Sequence, residues 1–188
     1  MVISKLSMPE SNNQKFNHLK IHTQYSICEG AIKIDKLKDF CKENKIPCLG
    51  ISDTSNLSGA LEFAENISKV GTQPIIGTQI YFRFEDTTGL LPLIALNETG
   101  YKRIIELSSR SYLENDVLSD PHLDIKELLN NTEGVLILSG TIHGLFGKLF
   151  QKGRLDEITK LYKNLLSNFH DNFYLEIQRH GDQNEIAF

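Results

Sequence analysis

Strand-length apolar runs alternate with stretches of helical period along nearly the whole of this 188-residue chain, and that alternation limits what it can fold into. "FNHLKI" (16–21), "CLGIS" (48–52), "PIIGTQIYF" (74–82), "LLPLIAL" (90–96), "GVLILS" (134–139) and "NFYLEI" (172–177) read as strands. Between them, "IKIDKLKDFCKENK" (32–45) puts Leu37, Phe40 and Cys41 at helical spacing, and "NLSGALEFAENISKVG" (56–71) puts Leu57, Ala60, Leu61, Ala64 and Ile67 on one face. Pro47 ends the first helix and Gly71 the second. Asn97 is placed to cap a helix running to about residue 112, with Glu98 in its first turn. Further helices are expected near 124–130, 142–150 and 154–168, and loops over 85–89 and 114–122. Strands alternating with helices give an α/β fold, a mostly parallel sheet covered by helices. In such folds functional residues gather on the loops after the strands. That rule selects His22, Asp53, Gln79, Gly140–Thr141 and His180.

No internal repeat, low-complexity stretch or linker divides the chain, so one domain is expected over 16–188, after a polar, flexible arm over 1–15. A chain of this length buries roughly 70% of its unfolded surface and needs no staples. The net charge of −4 supplies no basic field for holding a nucleic-acid backbone unaided. Three cysteines, Cys28, Cys41 and Cys48, without a CxxC pair, read as reduced thiols of a cytoplasmic protein. No apolar run reaches the roughly 18 residues of a membrane span.

The stretch "FNHLKIHTQYSICEG" (16–30) looks like part of a metal site. His22 and Glu29 are of the types that bind zinc, manganese or iron, although a loop histidine and a solvated glutamate suit the spacing at least as well. Asp53, in "SDTSN", is placed either to orient a ligand or to cap the next helix. His180 ends a strand before a glycine turn and fits a loop or a site equally. Cys28 has no thiol-activating neighbour in sequence. His143 and His170 lie in amphipathic helical surroundings that suit packing or surface positions. "GTIHGLFG" (140–147) lacks the Lys-Ser/Thr of a phosphate loop.

The motifs "HLKIHTQYS…EG", "LGISDTSNLSGALEF", "PIIGTQIYF", "LIALNETGYKRIIELSSRSYLEN", "EGVLILSG" and "FYLEIQRHG" resemble, in this order, the N-terminal PHP (polymerase and histidinol phosphatase) domain of bacterial DNA polymerase III alpha subunits. The likeness runs from about Phe16 to Gly181. It implies a distorted seven-stranded β/α barrel, here lacking its last βα units. Active members of the family hold about three metal ions on histidines and carboxylates at the strand ends. Set against that pattern, His22, Glu29, Asp53 and His180 are remnant ligand positions. Lys20 replaces the first histidine of a His-x-His motif, Thr54 the histidine of an Asp-His motif, Gln79 a bridging carboxylate, and Thr141 a cysteine found after "LSG" in some members. The family's final Asp and His motif would lie beyond Phe188.

Lys20 places a fixed positive charge where a metal would sit. At about 4 Å and an effective dielectric near 20, each unit of charge product costs about 4 kcal/mol, and twice that against a divalent ion. The amine is expected to pair with Glu29 or Asp53 instead. The resemblance therefore implies a DNA-replication function without catalysis in this segment: a scaffold that buttresses the polymerase (a nucleotidyltransferase whose catalytic carboxylates lie in later domains) and docks a proofreading exonuclease subunit. No cofactor is expected. Contact with DNA is expected only through the full polymerase, and none with membrane. The alternative is a metal-dependent phosphoesterase or 3′–5′ proofreading exonuclease with zinc or manganese at the remnant site.

Overall fold

A computed structural model describes residues 16–116, 118–181 and 183–188. The expected arm over 1–15 lies outside the described residues. The elements run α1 (Ile34–Asn44), β1 (Cys48–Thr54), α2 (Ala60–Ser68), β2 (Gln73–Phe84), β3 (Thr87–Ala95), α3 (Glu98–Leu113), β4 (Leu123–Asp124), α4 (Ile125–Leu129), β5 (Val135–Leu138), α5 (Leu145–Gln151), α6 (Leu155–Phe169), β6 (Phe173–Tyr174) and α7 (Gln183–Ala187). The six strands form one sheet in the order β1-β2-β3-β5-β6, with β4 pairing on β2.

Five of the six strands point the same way. β1 and β4 are parallel to β2, β6 is parallel to β5, and β3 alone runs antiparallel to both its neighbours, β2 and β5. The mostly parallel sheet is therefore present with one reversed strand. The reversal corrects the expected loop at 85–89. β2 and β3 form a hairpin whose last pair is Phe84 with Thr87, so Thr87, Thr88 and Gly89 are strand residues and Glu85 and Asp86 alone make the turn. Glu85 turns the corner with φ 52°. Asp86 is held by Arg154 at the start of α6, and that guanidinium lowers the Asp86 carboxyl to about 2.

Two further expectations shift. The segment 16–21 is not a ladder strand. It meets β1 through two backbone bonds, Gly50 N–H to His18 O (2.7 Å) and Ser52 N–H to Ile21 O (2.8 Å). A side chain at Gly50 would meet the Leu19 carbonyl oxygen at 2.6 Å, so the close crossing depends on glycine there. The last strand is shorter than 172–177: only Phe173 and Tyr174 pair, and the backbone then leaves the sheet.

Two apolar clusters fill the interior. The larger lies under β2, β3 and β5 and includes Ile80, Phe82, Leu91, Leu93, Ile104, Leu107, Ile137, Leu149 and Leu165. The smaller joins α1 and α2 to β1 through Ile34, Leu37, Cys41, Leu49, Ile51, Phe63 and Ile67. The α3 cap forms as the sequence implies: Asn97 Oδ1 accepts the Gly100 N–H at 2.9 Å. Replacing Asn97 by alanine is expected to cost about 1 kcal/mol, a fall in melting temperature of about 2–4 °C. A thermal melt showing no change would mean the cap contributes nothing here.

Candidate functional site

The end of β1 organises the loop that precedes α1. Asp53, only 1% exposed, accepts three hydrogen bonds: from Thr23 N–H (2.6 Å), Thr23 Oγ1 (2.8 Å) and Ser26 Oγ (2.7 Å). Its carboxylate thus fixes the turn through residues 23–26. It is not the cap of α2, whose N-cap position is Gly59. Gly30 closes this loop against the Thr23 backbone, in a space where a Cβ would overlap the Thr23 carbonyl.

Beside Asp53, three of the positions singled out in the sequence meet directly. Thr54 Oγ1 donates to the Glu29 carboxylate and accepts from Gln79 Nε2 at 2.7 Å. The parallel register that pairs Thr54 with Gln79 brings the two substituted positions together. The Glu29 charge also reaches Tyr81, whose phenol is raised above its ordinary value, first by burial and then by that carboxylate. Tyr25 on the same loop donates to Glu62 Oε2 at 2.6 Å, and this bond raises its phenol too.

Lys20 and His180 belong to a second hydrogen-bonded group. Lys20 Nζ lies 3.0 and 3.3 Å from the two carboxylate oxygens of Glu176, with side chains 13% and 10% exposed. This corrects the expectation that Lys20 would pair with Glu29 or Asp53: Glu29 is taken by Thr54, and both Asp53 oxygens by Thr23 and Ser26. Gln178 Nε2 donates to Glu176 at 2.7 Å, and its Oε1 lies 3.2 Å from His180 Nε2. Thr141 lines a cavity of about 620 Å³ whose wall is polar at Ser139, Glu176 and Gln178 and apolar at Ile142, Phe146 and Ile186.

His22 is half-buried, and its buried Nδ1 has no hydrogen-bond partner among the described residues. His18 packs edge-on against Phe16 at 4.9 Å. Sequence reading missed Glu176, Gln178, Thr23 and Ser26. The first two lie in "LEIQ", past the last strand, where a glutamate and a glutamine look like ordinary solvated residues. Thr23 and Ser26 carry no signal beyond being short and polar next to His22.

These residues do not fit a cluster of three divalent ions. Lys20, Thr54 and Gln79 bring an ammonium, a hydroxyl and an amide to positions that the resemblance matches to ligands, and both oxygens of Asp53 accept from protein donors. Among the described residues no group of three or more His, Cys, Asp and Glu side chains lies close enough to hold a metal ion.

Comparison with known proteins agrees with the fold and the motif order. The PHP domain family model matches residues 18–180. The chain is 36% identical over 189 aligned positions to the DNA polymerase III subunit alpha of Caulobacter vibrioides, covering 96% of this chain and 16% of that protein. It is 35% identical to the corresponding subunit of Thermus aquaticus (89% of this chain, 15% of that protein). It is 34% identical to that of Rickettsia felis (88% and 14%). The chain therefore spans about one sixth of the length of the curated relatives it matches. No helix among the described residues is long and apolar enough to cross a membrane. The chain belongs to the PHP domain family and corresponds to the N-terminal PHP region of DNA polymerase III alpha subunits.

Proposed function

We propose that this chain serves a replicative DNA polymerase as a scaffold, buttressing the polymerase core and docking a separate proofreading exonuclease subunit, and that its remnant site works without metal. The observation that carries the metal-free reading is the Lys20–Glu176 ion pair. It puts a largely buried cation, already satisfied by a carboxylate, at the position of the first motif histidine. The Glu29–Thr54–Gln79 chain supports it, since a neutral hydroxyl, itself held by Gln79, bonds one oxygen of the acidic residue of that motif. The cytoplasm follows as the place of work of a replication protein.

One observation favours the rival phosphoesterase reading: the buried, unpartnered Nδ1 of His22 is free to bind an ion. Elemental analysis separates the two. The purified chain is expected to hold less than about one zinc or manganese per molecule and to leave phosphomonoesters and DNA 3′ ends intact. Lys20→His, Thr54→His and Gln79→Glu together are expected to raise metal content. A stoichiometric metal with hydrolysis lost on His22→Ala would establish the enzyme instead. The docking part is tested by co-purification of the exonuclease with the full-length alpha subunit, with and without residues 1–188. Undiminished capture without them would place the docking surface elsewhere.

A further inference from the structure

Among the described residues the strand order puts β1 at one edge of the sheet and β6 at the other. The first is lined by the backbone of residues 18–21, through the bonds to Gly50 and Ser52. Glu176 follows the second by two residues. It is tied there by its own N–H, which donates to Ser139 Oγ at 2.9 Å, while Ser139 N–H donates to Tyr174 O at 2.9 Å. In a flat sheet, five strands and the 18–21 segment at about 4.8 Å spacing would put these edges roughly 24 Å apart. A lysine and a glutamate side chain together cannot span that distance. Yet Lys20 and Glu176, 156 residues apart in sequence, are in contact at 3.0 Å. The sheet therefore curls enough to bring its two edges within side-chain reach of each other, and this ion pair links them.

We propose that Lys20 and Glu176 form a clasp that links the two edges of the sheet across its curl and holds the curl in place. Chemistry and placement both suit the role. Both side chains are largely buried, so each charge depends on the other for compensation. Gln178 takes a further place on the Glu176 carboxylate and orients it toward the lysine. Glu176 and Thr141 both line the cavity of about 620 Å³, so the clasp holds one of the carboxylates on its wall. The clasp stands on this geometry. That it takes over cross-linking by metal rests on the metal-free reading, which metal content tests on its own.

The test is a charge-reversal cycle in the full 188-residue chain: Lys20→Glu, Glu176→Lys, and both together. Each single substitution is expected to lower the thermal midpoint by roughly 5–10 °C, and the double to recover at least about half of the loss. Amide exchange at Gly50 and Ser52, whose N–H groups bond to the 18–21 segment, is expected to speed up at least about tenfold in the single variants. If the singles do not fold, Lys20→Met with Glu176→Leu removes both charges at once and is expected to give a folded protein that melts cooperatively. Unchanged midpoints and exchange in the singles would overturn the clasp. So would a double reversal that loses the sum of the two singles, or failure of the charge-free double to fold.

Discussion

Phe82→Ala is expected to destabilise the domain by about 3–5 kcal/mol, because the ring is fully buried and the space it leaves cannot collapse. Phe82 lies on β2, the strand that pairs with β1, β3 and β4. It stands opposite Gly89 on β3 and Leu123 on β4, so rigid ladders on either side hold the surrounding wall in place. For a domain of this size the loss corresponds to a fall of about 6–20 °C in melting temperature. Phe40, on the outer face of α1 and 42% exposed, is the control. Phe40→Ala is expected to change stability by less than about 1 kcal/mol. Similar losses at both positions, by urea denaturation at constant m-value, would show that the core is not where these contacts place it.

Asp53→Ala is the second large effect, again about 3–5 kcal/mol, from a different cause. Three donors converge on the carboxylate, and truncation leaves the buried Thr23 N–H, Thr23 hydroxyl and Ser26 hydroxyl without an acceptor. Asp53→Asn keeps one acceptor oxygen and is expected to cost less than the alanine variant. The loss is expected to be the same with and without added zinc or manganese, since the role assigned to Asp53 is to hold the loop through protein donors. A loss of stability that appears only in metal-loaded protein would make Asp53 a ligand and defeat the structural role. The two substitutions act through separate parts of the molecule, the larger apolar cluster and the polar loop at the end of β1. Their effects should therefore add to within about 0.5 kcal/mol.

Local chemistry made much of this protein legible in its sequence. Pro47 and Gly71 mark where α1 and α2 have already ended, and Asn97 caps α3, because each acts on the backbone within a few residues. The identities of Lys20, Thr54 and Gln79 raise the expectation of a site short of ligands, since an ammonium, a hydroxyl and an amide are poor substitutes for imidazole and carboxylate. Tertiary structure decided the rest. The apolar run at 90–96 reads the same in either direction, so only pairing reveals that β3 runs against its neighbours and that 85–89 is mostly hairpin. Side chains at Glu29, Thr54 and Gln79 meet through the parallel register of β1 with β2, which a period of two cannot specify. The partner of Lys20 is hardest to see from sequence. Glu29 and Asp53 are nearer along the chain, but hydroxyls and an N–H already hold them. Glu176 comes within reach only when the sheet curls, and a largely buried charge must take the carboxylate the fold delivers.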